Sequence, residues 1–381
     1  MTEKLYYKDA YLKEFDAEVL SVTATDGGFA VTLDKTAFFP EEGGQSSDSG
    51  FIGTARVTHV YESEGVVYHL TDTAPTLGRT SCRLDFESRY DKMQCHTAEH
   101  ILCGIIHRLW GYDNVGFHLG ADEVTFDIDA VLTREQLDEV ELLANRAVFD
   151  NIPITTEFPM PEELPTLEYR SKLELTEGVR LVRIGDVDTC ACCAPHVART
   201  GEIGLIKVLE FMKHRGGTRI WMVAGYRALG DYREKYGNVK RISAALCEPQ
   251  ATVADGVDRM LESAVALRSE LKAARDALAL AEARSVESTE GNMVVLLSDF
   301  SIDELRAFSN AAGERVGGLL VALSGADGDY KYVISSASCD LSREIKDINT
   351  ALSGRGGGRG GMVQGSFSTD IESIRAYFNG K

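Results

Sequence analysis

The sequence predicts an α+β protein of several units, and three features of its patterning carry that prediction. Residues 1–88 are dominated by short alternating or β-branched runs separated by turn residues. Residues 89–230 mix helical and strand periods. A long helical seam at residues 231–288 then gives way to a second strand–helix alternation at 289–381. At 381 residues the chain has room for two or three cores.

In the first unit Ala17–Ala24, Phe29–Asp34, Ala55–Tyr61 and Val66–Leu70 read as strands, with Asp26-Gly-Gly and Glu64-Gly as turns. Short strands at short spacing suggest a small barrel-like sheet. Within it lies Thr36-Ala-Phe-Phe-Pro-Glu-Glu-Gly-Gly-Gln45, where Gly43 and Gly44 allow close backbone approach to a ligand and Gln45 offers a donor and an acceptor. Taken alone, the segment reads as a hairpin turn.

The second unit opens on a helix running to about Trp110 and carrying Gln94-Cys-His-Thr-Ala-Glu-His-Ile-Leu102. His96 and His100 stand four residues apart, so both imidazoles face one point from one side of the helix. A strand at Glu123–Asp129 and a helix started by the capping box Thr133-Arg-Glu-Gln136 follow. Ile154–Phe158 is extended, Pro159, Pro161 and Pro165 mark a surface crossing, and Val179–Ile184 leads strand-like into a cysteine motif. That motif, Cys190-Ala-Cys-Cys-Ala-Pro-His196, supplies Cys192 and His196 at a Cys-x-x-x-His spacing. Two locally fixed pairs, one of imidazoles and one of thiolate and imidazole, suit Zn²⁺.

Residues 231–284 read as helical, broken at Pro249. Apolar or alanine residues then fall at 253, 257, 260, 264, 267, 271, 274, 278 and 281, a heptad seam that wants a partner. An antiparallel hairpin with Asp231–Leu246 is the first candidate and a second copy of the chain the other. The last unit alternates strands (Met293–Leu297, Leu319–Leu323, Tyr330–Ile334, Met362–Phe367) with helices capped by Ser301 and Thr369 and a helix at Leu341–Leu352. Ser353-Gly-Arg-Gly-Gly-Gly-Arg-Gly-Gly361 reads as a loop able to cradle phosphate through its N–H groups, Arg355 and Arg359, or as a mobile Gly-Arg tract.

No apolar run is long enough for a bilayer helix, and no basic-then-apolar leader follows Met1, so a cytoplasmic protein with no membrane partner is expected. The eight cysteines are then thiols rather than a disulfide framework. A net charge of −19 speaks against easy nucleic-acid binding, although residues 207–241 hold nine Lys or Arg against three acids. By itself that stretch reads as a solvated helix and loop surface.

His96-Thr-Ala-Glu-His100 with Cys192-Cys-Ala-Pro-His196 resembles the zinc motifs of alanyl-tRNA synthetase editing domains and of their free-standing relatives, the AlaX proteins. Phe39-Pro-Glu-Glu-Gly-Gly-Gln45 resembles their glycine-rich motif, and Thr200-Gly-Glu-Ile-Gly204 its continuation after the second pair. Gly354-Arg-Gly-Gly-Gly-Arg359 with Met362-Val-Gln364 is similar to the C-terminal module shared with DHH-type phosphoesterases. In family order these cover nearly the whole chain, which points to the long AlaX form, opening at Met1 and acting in trans. One departure stands out: Cys-Cys-Ala-Pro-His replaces the synthetases' Cys-Gly-Gly-Thr-His, making Cys193 a rival ligand.

The resemblance implies zinc-dependent hydrolysis of tRNA(Ala) mischarged with serine, with glycine as a second candidate. His96, His100, Cys192 and His196 would be the metal ligands, Thr36 the reader of the serine hydroxyl, and Gln45 the group orienting water or ester. Lys207, Arg215, Arg219, Arg355 and Arg359 would meet tRNA. A homodimer through the helical segment or the C-terminal module is a further expectation. Two rival readings remain. His96-x-x-Glu-His100 also fits an inverted-zincin peptidase with Glu99 as general base, and a non-catalytic tRNA-binding protein with structural zinc carries the same ligands.

Overall fold

A computed structural model describes residues 1–120, 123–171 and 178–380. The fold is α+β, and the chain divides into two compact units, residues 1–240 and 241–381.

The first 84 residues form β1 (Glu3–Lys4), β2 (Glu14–Thr25), β3 (Gly28–Leu33), β4 (Lys35–Thr36), β5 (Gly50–Ile52), β6 (Ala55–Ser63), β7 (Val66–Thr71) and β8 (Gly78–Leu84). β1 and β4 pair in parallel. The other six pair in the order β2-β3-β7-β6-β5-β8, and β8 returns to β2, closing a barrel. Ala17, Val19, Val31, Leu33, Val57, Val60 and Val67 fill its interior, the inward half of each alternating strand.

Helix α1 (Phe86–Trp110) is the axis of the second part. Asp85 caps it by accepting from Ser88 N at 3.3 Å, and Gly111 ends it with φ +71°. From Lys92 to Ile106 every residue is buried, because other elements pack on all sides. β9 (Asn114–Leu119) and β10 (Val124–Ile128) follow, then α2 (Arg134–Phe149), started by the capping box at Thr133 and Gln136. A three-stranded sheet comprises β11 (Ile154–Glu157), β12 (Leu181–Ile184) and β13 (Asp188–Ala191). β14 (Ile206–His214) and β15 (Gly217–Ala224) complete a sheet in the order β14-β15-β10-β9. Lys207, Lys213, Arg215 and Arg219 therefore lie on a β-hairpin, not on the helix and loop surface expected. Alternate residues Ile206, Val208, Ile220 and Met222 are buried, and this apolar set decides the matter over the polar residues between them.

Helix α3 (Gly225–Leu246) starts six residues before the expected point and runs across the boundary of the two units. In the second unit, α4 (Val253–Ser285) buries Ala279 and Ala283 against α5 (Ile302–Ala312). The small alanines let α5 approach, whereas the seam residues Leu267 and Leu271 are 64% and 59% exposed. The sheet order is β16 (Met293–Leu297), β17 (Leu320–Ala326), β18 (Asp329–Ser335), β20 (Met362–Phe367), β19 (Gly354–Arg359), with α6 (Glu344–Ala351) between β18 and β19 in sequence and α7 (Ile371–Asn379) last. The Gly-Arg stretch is thus an edge strand rather than a loop. Its residues pair with β20 from Gly354↔Phe367 to Arg359↔Met362, and Gly360-Gly361 makes the turn. Gly356 and Gly358 have no room for a side chain, since a Cβ on either would come within 2.4 Å of a β20 carbonyl oxygen. The cap of α7 is Asp370, one residue beyond Thr369; its carboxylate accepts from Ser373 N at 2.8 Å.

Candidate metal centre and active-site cavity

His96 and His100 project from one face of α1, and the chain leaving β13 carries Cys192 and His196 to them. The four donor atoms lie within 4.8 Å of one another. Cys192 Sγ is 3.7 Å from His96 Nε2 and 3.3 Å from His196 Nε2. Tetrahedral zinc with ordinary Zn–S and Zn–N bonds requires a sulfur–nitrogen separation of roughly 3.6 Å. The donor set and spacing fit that ion.

Each imidazole is held from behind. His96 Nδ1 donates to Gln45 Oε1 at 2.7 Å, and His100 Nδ1 donates to Asp188 Oδ2 at 3.0 Å. His196 Nδ1 lies 3.0 Å from Thr97 Oγ1, whose own proton goes to Met93 O at 2.7 Å, so this nitrogen also carries the hydrogen. All three rings therefore carry a hydrogen on Nδ1 and turn Nε2 towards the common point. Three unrelated acceptors fixing one tautomer is what a preorganised metal site requires.

The electrostatics agree. Burial works against the Cys192 thiolate, yet the His96 and His196 rings beside it hold its pKa well below the usual thiol range. Burial pushes His196 down to about 3, keeping it neutral. Burial also opposes a charge on His100, but Cys190, Asp188 and Cys192 together lift its pKa well above the imidazole range. Asp188 is buried, which raises its pKa, but bonds from His100 and Arg170 leave it below the carboxylate range. Arg170 grips both Asp188 oxygens, at 2.8 and 2.9 Å. Among the described residues a second donor group, His100, Asp188 and Cys190, shares these atoms.

A cavity of about 460 Å³ opens onto the cluster. Its wall includes His96, His100, Cys192, Glu99, Asn114, Gly43, Tyr7 and Arg180. Glu99 Oε1 accepts from Asn114 Nδ2 and from Cys103 Sγ, the latter at 3.3 Å. Cys193 is outside the ligand cluster. It packs with Tyr6, Phe39 and Ala194, and burial pushes its thiol far up.

The glycine motif reaches the site by backbone packing. Gly44 has φ +84°, and a Cβ there would stand 2.2 Å from Phe117 O. The close approach is therefore to β9, not to a ligand, while Gly43 lines the cavity. Gln45 is fully buried behind His96, and Thr36 is fully buried in β4; neither lines the cavity. Thr36 Oγ1 lies 2.8 Å from His69 Nε2 and accepts from Phe38 N at 3.1 Å. Since His69 Nδ1 donates to Val31 O at 3.2 Å, the Thr36 hydroxyl must give its proton to Nε2. Burial lowers the His69 pKa to about 4, so the ring is neutral.

Of the basic residues, Lys207 pairs with Glu141 at 2.7 Å and Arg219 with Asp127 at 2.7 and 2.8 Å. Arg215 is exposed at the β14–β15 turn, and Arg355 and Arg359 are exposed on β19 of the other unit. Sequence reasoning missed the residues that hold the site: Asp188, Arg170, Asn114, Thr97, and above all Arg89. Arg89, with no exposed surface, grips Asp48 with two nitrogens and also donates to Ala37 O, while Asp48 accepts from Phe39 N at 2.7 Å. This clamp ties both ends of the glycine motif to α1.

Residues 179–221 match the family described as the threonyl and alanyl tRNA synthetase second additional domain. The chain is 28% identical to the alanyl-tRNA editing protein AlaX-L of Pyrococcus horikoshii, over 98% of this chain and 96% of that protein. It is 34% identical to the alanine–tRNA ligase of Halorubrum lacusprofundi over 87% of this chain, and 30% identical to that of Thermococcus kodakarensis over 98%. The chain spans 38% and 43% of those two ligases. The chain is accordingly of the AlaX type, resembling the long form of these alanyl-tRNA editing proteins over nearly its whole length.

Proposed function

We propose that this protein is a trans-acting deacylase, hydrolysing the ester of tRNA(Ala) mischarged with serine, and of Gly-tRNA(Ala) as a second substrate. The observation that carries the reading is the convergence of three tautomer-fixed imidazoles and one thiolate on a point in the cavity wall. His96, His100, Cys192 and His196 would hold Zn²⁺. When bound, that ion supplies positive charge to an ester oxygen or to water.

The protein's own groups supply the rest. Glu99 faces the cavity with one oxygen tied by Asn114, leaving the other to take a proton from the attacking water. The water oxygen bonds to the ester carbon, the ribose oxygen leaves, and Glu99 returns the proton to it. Asn114 and Cys103 keep the carboxylate in one orientation. Gln45 positions His96 rather than the water.

Selectivity falls to Thr36 in this reading. Its oxygen has given its proton to His69 and can only accept. Because Thr36 is buried behind the cavity wall, a serine hydroxyl reaches its oxygen only once the chain around β4 opens; it then donates there where alanine's methyl cannot, and discrimination of this kind rests on leaving a polar group unpaired. Arg215, Arg355 and Arg359 are exposed for phosphate contact, and Lys207 and Arg219 would have to exchange carboxylate for phosphate. Binding should then weaken steeply with salt. Glu99 in the cavity also favours the peptidase alternative, so the deciding experiment offers Ser-, Gly- and Ala-tRNA(Ala) and a denatured protein side by side. Release of serine with the protein left intact supports deacylation, and peptide cleavage with no serine release overturns it.

A further inference from the structure

Arg180 is a buried arginine whose charge is met by no carboxylate among the described residues. Only 6% of it is exposed, and it lines the cavity next to Cys192. One terminal nitrogen donates to Cys192 O and Ala194 O, both at 2.9 Å, and the guanidinium sits 5.4 Å from the centre of the Tyr7 ring. Its Nε is buried and has no hydrogen-bond partner among the described residues. Arg89 and Arg170, the other arginines enclosed around this site, each grip a carboxylate with two nitrogens. Among the described residues no salt bridge is made by Arg180.

The Cys192 sulfur beside Arg180 favours the charge but is turned to the metal cluster, so the guanidinium is held, at a cost, out of water with no hydrogen-bonded anion among the described residues, and an unused Nε–H adds to that cost. The Tyr7 face and two carbonyls offset only part of it. With one terminal nitrogen taken by the two carbonyls and Nε enclosed, the other terminal nitrogen is the donor left to meet an oxyanion in the cavity. The opposite charge is also present in the cavity, at Glu99, so the walls suit a ligand with a cation and an anion on one small body.

We propose that Arg180 is an anion subsite, taking the phosphate on the terminal nucleoside of the acylated RNA and so fixing where the ester lies against the metal cluster. The inference rests on the deacylase reading for the identity of the ligand, but not for the existence of the subsite. Arg180 binds substrate and also fastens the Cys192–Ala194 loop, so its test needs a readout that fastening alone would not move.

That readout is the preference for AMP over adenosine, measured by calorimetric titration of the zinc-loaded full chain, with zinc content and melting followed in parallel. The parent protein should bind AMP about tenfold more tightly, the scale of one hydrogen bond to a charged group. In Arg180→Gln the preference should vanish while adenosine binding changes little. Should that variant lose zinc, Arg180→Lys decides: it keeps the charge, loses the guanidinium's second terminal nitrogen, and should lose at least about threefold of the preference with zinc retained. An unchanged preference in whichever variant keeps zinc, or none in the parent, overturns the proposal. Free inorganic phosphate competing with AMP as strongly as AMP binds would mark a bare phosphate site and overturn the assignment to a nucleotide. A parent that shows the Arg180-dependent preference yet releases no serine from Ser-tRNA(Ala) keeps the subsite and removes the deacylase reading. Serine release without AMP preference does the reverse.

Discussion

His96 Nδ1 donates to Gln45 Oε1 at 2.7 Å across 51 residues of sequence. This bond joins the glycine motif, pinned to β9 by Leu119 N donating to Gly44 O at 2.7 Å, to the first ligand of the cluster. A motif whose glycines leave it open between a hairpin turn and a place for ligand is thus a support for the metal ligand. Replacing Gln45 by Ala should weaken zinc binding by about 10- to 100-fold, the usual cost of losing such a partner. Competition with a chromophoric chelator measures this, and an unchanged affinity removes Gln45 from the account.

The Asp48–Arg89 pair makes a prediction about stability. Both side chains are buried, at 1% and 0% exposure, so Asp48→Asn leaves a guanidinium without its anion. A loss of about 3 kcal/mol is expected in denaturant unfolding. A change of a few tenths would show that the clamp does little.

How much of this was legible beforehand depends on the range of the signal. The two ligand pairs are local, set by a spacing of four residues, and reading them needed only the helix period and the Cys-x-x-x-His interval. The capping boxes at Thr133 and Ser301 were legible for the same reason. Asp188 and Arg170 were not, because their meaning arises only when β13 is laid beside α1 and His100 comes within 3.0 Å. Arg89 looks like any helix-start arginine until the barrel places Asp48 against it. The Gly-Arg stretch was misread for a different reason. Glycine content signals freedom, but in β19 it signals crowding, since Gly356 and Gly358 sit where β20 leaves no room for a side chain.

The electrostatics of the metal-free cluster predict proton release. Cys192 is held below the thiol range, and His196, lowered to about 3, is neutral at pH 7. His100 is raised well above its ordinary value by Cys190, Asp188 and Cys192 around it, and it can bind metal only with Nε2 deprotonated. The metal-bound state therefore holds fewer protons, and affinity falls as pH falls. Calorimetry at pH 7 in buffers of different ionisation enthalpy should find protons released on zinc binding. Release of none, or of a proton that persists in His100→Ala, contradicts the assignment.

Thr36→Val tests selectivity apart from chemistry. Zinc content should hold, since Thr36 touches no ligand, while the ratio of serine to alanine release from tRNA(Ala) should fall by about tenfold, the scale of one unpaired polar group. His69 would lose its partner too, so Thr36→Ser, which keeps the hydroxyl, should restore most of the ratio. If valine leaves the ratio unchanged, Thr36 is a structural residue of β4.

The most direct test counts bound zinc and serine released from Ser-tRNA(Ala) in the same preparations of the parent, His100→Ala and Cys192→Ala. One ion per chain in the parent, with metal and serine release lost together in both variants, is the predicted result. Serine release that persists in a metal-free variant, or zinc retained at full stoichiometry without Cys192, would contradict a single centre built from α1 and the segment after β13.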